Sequence, residues 1–150
     1  MLDAERLLLT QTVLDFLNAA GPQVSPMKQR VLVIDDDRLV ADTLNLIFQA
    51  SGYDSQAAYS AADGLAQARI FSPGLLLCDI TMPDESGLQL AEKMRLEMPD
   101  CKLIMLTAYA SNTVKVEQYI SQSKRPLKLL NKPCRPELLL REAQILLQIA

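Results

Sequence analysis

Three carboxylates, one hydroxyl and one ammonium stand at the ends of short apolar runs in this chain. Val31-Leu32-Val33-Ile34 leads into Asp35 and Asp36, and Leu75-Leu76-Leu77-Cys78 into Asp79. Lys102-Leu103-Ile104-Met105-Leu106 leads into Thr107, and Leu127-Lys128-Leu129-Leu130-Asn131 into Lys132-Pro133. Runs of this length and character read as buried strands. The carboxyl ends of strands in an open parallel sheet line one edge, where ligands bind. Such a sheet would gather these five side chains in one cleft, a set suited to a divalent cation and a phosphoryl group.

Each residue type has its own chemistry. Adjacent Asp35 and Asp36, with a third carboxylate close by, repel one another and titrate high unless a cation neutralises them. Mg²⁺ fits, being a hard ion that binds through one or two carboxylates plus water and phosphate. The plainer alternative is a solvated loop in which Asp35 or Asp37 caps the next helix. Asp79 is the candidate nucleophile, since a carboxylate can accept a phosphoryl group as an acyl phosphate. Such transfer depends on positioning and on neutralising the phosphoryl oxygens. Lys132 and Thr107 could contact those oxygens; alone they would read as a surface lysine and an ordinary strand-end threonine. Pro83 and Gly87 follow Asp79, the first stiffening the loop and the second permitting a turn with positive φ.

The elements that would position these groups alternate. Strands are expected at 30–35, 54–59, 75–79, 102–107 and 127–131. Helices are expected at about 38–51, 61–71, 86–97, 112–122 and 136–149. Alternation of this kind implies a parallel sheet covered on both faces, with right-handed crossovers. Upstream, residues 2–20 show helical periodicity, with Leu2, Leu9, Val13, Phe16, Leu17 and Ala20 on one face. Gly21-Pro22 ends that segment, and residues 21–28 read as a linker. The expected organisation is therefore an N-terminal amphipathic helix and linker over 1–28, then one domain over 29–150. Residues 1–26 read either as an extension without a role in the chemistry or as a rival partner surface.

Composition narrows the function. With 150 residues, 49% of them hydrophobic, the chain can bury a substantial core. A net charge of −3 and the lack of any Lys/Arg-rich run argue against direct binding of nucleic acid. Histidine is absent, and Cys78, Cys101 and Cys134 are odd in number and widely spaced. Neither a zinc site nor a disulfide framework is expected, and the cytoplasm is the natural compartment. Asp15 breaks the apolar N-terminal stretch, so neither a signal peptide nor a membrane span is expected.

Taken together, these motifs resemble the receiver domain of two-component response regulators. The matching segments are Val-Leu-Val-Ile-Asp35-Asp36-Asp37, Leu-Leu-Leu-Cys-Asp79-Ile-Thr-Met-Pro83-Asp-Glu-Ser-Gly87, Ile-Met-Leu-Thr107-Ala108 and Asn-Lys132-Pro133. The resemblance implies a flavodoxin-like doubly wound α/β fold, a five-stranded parallel sheet of order 2-1-3-4-5, for which a receiver protein is itself a standard example. It implies phosphorylation of Asp79 by a sensor histidine kinase or phosphotransfer protein in a His-to-Asp phosphorelay. Mg²⁺ would be bound by Asp36 directly, Asp35 through water, Asp79 and the backbone carbonyl of Thr81. Lys132 and Thr107 would contact the phosphoryl group. Activity would be limited to self-phosphorylation and autodephosphorylation, making the domain a self-resetting switch rather than an enzyme.

Some positions depart from the family. Many receivers carry an aromatic residue three before the lysine; here it is Leu129, so aromatic gating cannot operate as usual. The stretch Ser121 to Pro126 is basic where many receivers have Gly-Ala. Tyr109 could shield an acyl phosphate or simply pack as a loop residue. No output domain follows Ala150 in this sequence, which suggests a single-domain regulator or part of a larger protein. Two other functions compete. One is a degenerate receiver that serves as a scaffold. The other is a Mg²⁺-dependent phosphotransferase or phosphatase, which would place an aspartate two residues after the nucleophile, where Thr81 stands. The partner surface is expected on the last two helices, for an effector or a second copy. On the final helix, Leu138, Ile145, Leu146 and Ile149 should face the sheet, and Leu140 and Leu147 should form an outward stripe with Val116 and Tyr119 as neighbours.

Overall fold

The computed structural model describes residues 4–19, 28–108, 113–122 and 127–149. Helix α1 spans Ala4–Ala19, and alternation begins at β1 Arg30–Ile34. There follow α2 Arg38–Ala50, β2 Asp54–Ala58, α3 Ala61–Phe71, β3 Leu75–Asp79 and α4 Gly87–Glu97. The chain continues through β4 Lys102–Thr107, α5 Thr113–Gln122, β5 Leu127–Asn131 and α6 Pro136–Leu147. The strands form one five-stranded parallel sheet of order β2-β1-β3-β4-β5. This is the doubly wound order expected from the sequence.

The strands can be apolar throughout because both faces of the sheet are covered. Side chains alternate between the faces. Val31, Val33, Leu75, Leu77, Ile104 and Leu106 enter one core, beneath α2 and α6. Leu32, Ile34, Leu76, Cys78, Leu103 and Met105 enter the other, beneath α3 and α4. Strand order reverses between β1 and β3, so their carboxyl ends flank a crevice.

Local signals set the helix starts. Asp37 caps α2 by accepting from the Leu39 and Val40 amides. Ser86 and Gln89 form a capping box at α4. Asp84, in the loop after Asp79, accepts from the Ala61 and Ala62 amides, which ties that loop to α3.

Helix α1 packs on α2, and its Leu9 and Val13 are buried in the α2–α6 core. Burial of two such side chains stabilises the docked helix by about 2 kcal/mol each. Leu9 and Val13 lie on the face expected for them. Leu2, Ala20 and the linker 21–27, along with the side chains of Phe16 and Leu17, lie outside the described residues.

The final helix differs from expectation. Pro136, Leu139, Ala143 and Leu146 are its buried residues, and Leu138 packs partly buried against the core, so Leu138 and Leu146 point inward as expected. Ile145 and Ile149 are exposed, whereas Leu140 and Leu147 pack against the core. The outward stripe of Leu140 and Leu147 is therefore overturned: the helix is rotated from the expected face, and the sheet receives the i, i+4, i+7 set beginning at Leu139. Tyr119 is half-buried against the other core. The side chain of Val116 and all of Tyr109 and residues 123–126 lie outside the described residues.

Candidate phosphoryl-acceptor and cation site

The crevice between β1 and β3 collects the charged residues. Asp35 follows β1 directly and is buried; Asp36 is exposed. Asp79 is the last residue of β3. Ligand atoms of Asp35, Asp36 and Asp79 lie within 4.8 Å of one another. The Lys132 ammonium donates to Asp35 at 2.8 Å and to Asp79 at 3.1 Å. Its backbone amide donates to the Thr107 carbonyl at 2.8 Å, which locks the β5 end to the β4 end. The Lys132–Pro133 peptide is cis. Thr107 is buried and follows Leu106, the register partner of Asp79. All the sequence-predicted side chains thus come from adjacent strand ends at one edge of the sheet.

Backbone groups orient the carboxylates. The Asp37 amide donates to Asp35 at 2.9 Å, and the Thr81 amide donates to Asp79 at 3.1 Å. Burial pushes the Asp35 carboxyl above its ordinary value; the Lys132 ammonium opposes that rise, and Asp79 adds to it. Burial would depress Lys132, yet the surrounding carboxylates outweigh it and hold the ammonium above the usual lysine range. Cys78 is a buried free thiol pushed well up by burial and by Asp79 and Asp35.

The donor set fits a divalent cation. Of three clustered carboxylates, Asp35 and Asp79 share one ammonium, so negative charge is in excess, and all the donors are hard oxygens. Asp36 is the exposed carboxylate of the three.

Gly87 has a different reason from the one expected. Among the described residues the glycine at positive φ is Gly52, at 94°. At Gly87 a Cβ would lie 2.5 Å from the Asp79 carbonyl oxygen and 2.8 Å from Met105 Cε. Its amide donates to the Ile80 carbonyl at 2.7 Å. Glycine here permits close approach of α4 to the Asp79 backbone.

Sequence reasoning missed two residues. Glu5 on α1 lies 3.7 Å from the Lys132 ammonium, and Arg6 pairs with Asp37 at 3.2 Å. The available signal was spacing: Glu5, Leu9 and Val13 fall at i, i+4 and i+8, so the carboxylate heads the buried stripe.

Comparison with known proteins agrees with this geometry. The pattern of the response regulator receiver domain matches residues 31–144. The DNA-binding response regulator MtrA of Mycobacterium tuberculosis H37Rv is 29% identical over 112 residues, covering 69% of this chain and 48% of that protein. The DNA-binding dual master transcriptional regulator RpaA of Synechocystis sp. is 29% identical over 121 residues, covering 79% of this chain and 49% of that protein. The chain thus spans about half the length of these relatives. Among solved structures, a CheY-like response regulator receiver domain protein from Methanospirillum hungatei superposes with a TM-score of 0.72 at 32% identity, over 81% of this chain and 94% of that one. With the family pattern spanning most of its length and the charged residues assembled at the strand ends, the chain belongs to the response regulator receiver domain family.

Proposed function

We propose that the chain is a phospho-acceptor switch in two-component signalling, with Asp79 as the acceptor. One observation carries this reading: Lys132 bridges Asp35 and Asp79 within a cluster of three carboxylates at the sheet's switch point. The phosphoryl donor is a phosphohistidine of a sensor kinase or phosphotransfer protein. An Asp79 carboxylate oxygen attacks phosphorus; the new O–P bond forms as the P–N bond breaks, and the electron pair leaves on the imidazole. The Thr81 amide and Lys132 hold the Asp79 carboxylate. Lys132 and the Thr107 hydroxyl then receive phosphoryl oxygens as charge moves outward from Asp79.

Asp35, Asp36, Asp79 and the Thr81 carbonyl are the groups that would hold Mg²⁺, which when bound neutralises charge between the carboxylates and the phosphoryl oxygens. Water later cleaves the acyl phosphate, restoring Asp79 and releasing phosphate. Nothing in this cycle requires a general acid at Thr81. Signal output goes to an effector or a second copy through the last two helices. No helix among the described residues is long and apolar enough to cross a membrane, in keeping with a cytoplasmic site of action.

The test is intact-mass measurement after incubation with Mg²⁺ and a small acyl phosphate. Wild type should gain one phosphoryl group and Asp79→Asn none. A wild type that gains nothing is a constitutive scaffold, and an Asp79→Asn protein that still gains the group has its acceptor elsewhere.

A further inference from the structure

We propose that helix α1 is a latch on the phosphorylation site: Glu5 competes with the phosphoryl group for Lys132, and phosphorylation loosens the docked helix. The proposal rests on Asp79 being the acceptor and adds a function for a segment upstream of the family match, which begins at residue 31.

Three contacts place α1 there. Leu9 and Val13 are buried in the α2–α6 core. Arg6 pairs with Asp37, the residue that caps α2 beside the cluster. Glu5, with its side chain 15% exposed, lies 3.7 Å from an ammonium that is itself 8% exposed. One face of one helix therefore carries both the apolar anchor and the charge that reaches the site. Glu5 is not among the clustered carboxylates suited to a cation, and it reaches the site at the Lys132 ammonium.

Phosphorylation changes that contact in a definite direction. Unmodified Asp79 carries one negative charge. Its acyl phosphate carries nearly two, on oxygens that project toward Lys132. The ammonium then pairs with the phosphoryl oxygens, and Glu5 is left beside like charge. Glu5 leaves, and α1 keeps two apolar side chains and the outer Arg6–Asp37 pair. By reciprocity, a docked α1 disfavours phosphorylation by the same factor that phosphorylation disfavours docking.

The test combines intact mass with amide hydrogen exchange of α1 in the full chain, using Mg²⁺ and a small acyl phosphate. Glu5→Gln keeps the size and helix preference of the side chain and removes its charge. Asp15→Asn is the control, ten residues and about 15 Å further along the same helix. Phosphorylated wild type should exchange α1 amides on the order of tenfold faster than the unmodified protein. At one acyl phosphate concentration Glu5→Gln should reach a ratio of phosphorylated to unmodified protein about five- to tenfold that of wild type, and Asp15→Asn the wild-type ratio. Fully phosphorylated wild type whose α1 exchanges at the unmodified rate overturns the latch while leaving Asp79 as acceptor. So does a Glu5→Gln protein that reaches no higher ratio of phosphorylated to unmodified protein than wild type. Uptake by Glu5→Gln alone supports the latch in its strongest form. Uptake by neither protein overturns both the latch and the acceptor assignment.

Discussion

Lys132 donates to Asp35 at 2.8 Å across 97 residues of sequence, and both side chains are almost fully withdrawn from water. The pair joins β5 to β1 past the two strands that lie between them. Removing one partner of a buried pair leaves an uncompensated charge and costs about 3 kcal/mol. Lys132→Met should lose about that much stability in urea titrations without metal. Adding Asp35→Asn should recover most of it, and Mg²⁺ should stabilise Lys132→Met more than wild type.

The metal prediction separates binding from folding. Asp36 is exposed and takes no part in the core, so Asp36→Ala should change metal-free stability by no more than about 0.5 kcal/mol. Loss of one clustered negative charge even favours the fold slightly. In wild type, Mg²⁺ above its dissociation constant should raise stability by about 1.4 kcal/mol per tenfold increase. That response should shrink sharply in Asp36→Ala. Equal responses in thermal melts would place the cation elsewhere.

Asp35 also predicts a pH dependence. Its folded carboxyl titrates above the ordinary value of 3.8, chiefly through burial. The folded state therefore holds the proton more tightly than the unfolded chain. This contribution to stability is fully present below pH 3.8 and is lost as pH rises through the raised folded pKa. Other carboxylates titrate in the same range, so the comparison is wild type against Asp35→Asn without metal. The stability of Asp35→Asn relative to wild type should climb as pH rises from 3.8, and saturating Mg²⁺ should flatten the curve for wild type.

The strands and the charged residues at their ends were legible because two patterns coincided. Val31 to Ile34 and Leu75 to Cys78 are apolar on both alternating sets, which a sheet covered on both faces requires, and each run stops at a carboxylate. The face of α6 was legible but misplaced. Glu137, Arg141, Gln144 and Gln148 share one arc of the helix, and the opposite arc centres on Leu139 and Leu146. The expected face left out Leu139 and so lay too far toward Ile145 and Ile149, whereas the buried set is centred on Leu139 and Leu146. Glu5 was hidden for another reason. A helical wheel identifies a face but not what that face meets, and the Glu5–Lys132 contact joins opposite ends of the chain. Gly87 was read correctly as special but for the wrong cause, because steric approach leaves no mark on sequence.

Gly87→Ala should report that approach. Its Cβ would come within 2.5 Å of the Asp79 carbonyl oxygen, where backbone on both sides must shift. Overpacking of this sort costs about 1–3 kcal/mol. The shift acts on the residue that carries the acceptor, so phosphoryl uptake should slow more than the stability loss alone explains. Urea titration with acyl-phosphate kinetics on the same sample checks both effects. Wild-type uptake in a destabilised Gly87→Ala protein would show that the displacement falls on Met105 rather than on Asp79.

On α6, the observed rotation predicts an order of sensitivities opposite to the one expected from the sequence. Leu139 is fully buried between helix and sheet, so Leu139→Ala should cost about 2–5 kcal/mol. Leu147 packs at the core edge, with its Cδ2 against Gly74, and Leu147→Ala should cost less but still measurably, about 1–2 kcal/mol. Ile145 is 49% exposed, so Ile145→Gln should stay within about 0.5 kcal/mol of wild type. Urea titrations of the three variants decide the rotation. If Ile145→Gln destabilises more than Leu147→Ala, the outward stripe of Leu140 and Leu147 is restored. If the order is as stated, Ile145 and Ile149 are the apolar side chains that α6 offers to a partner.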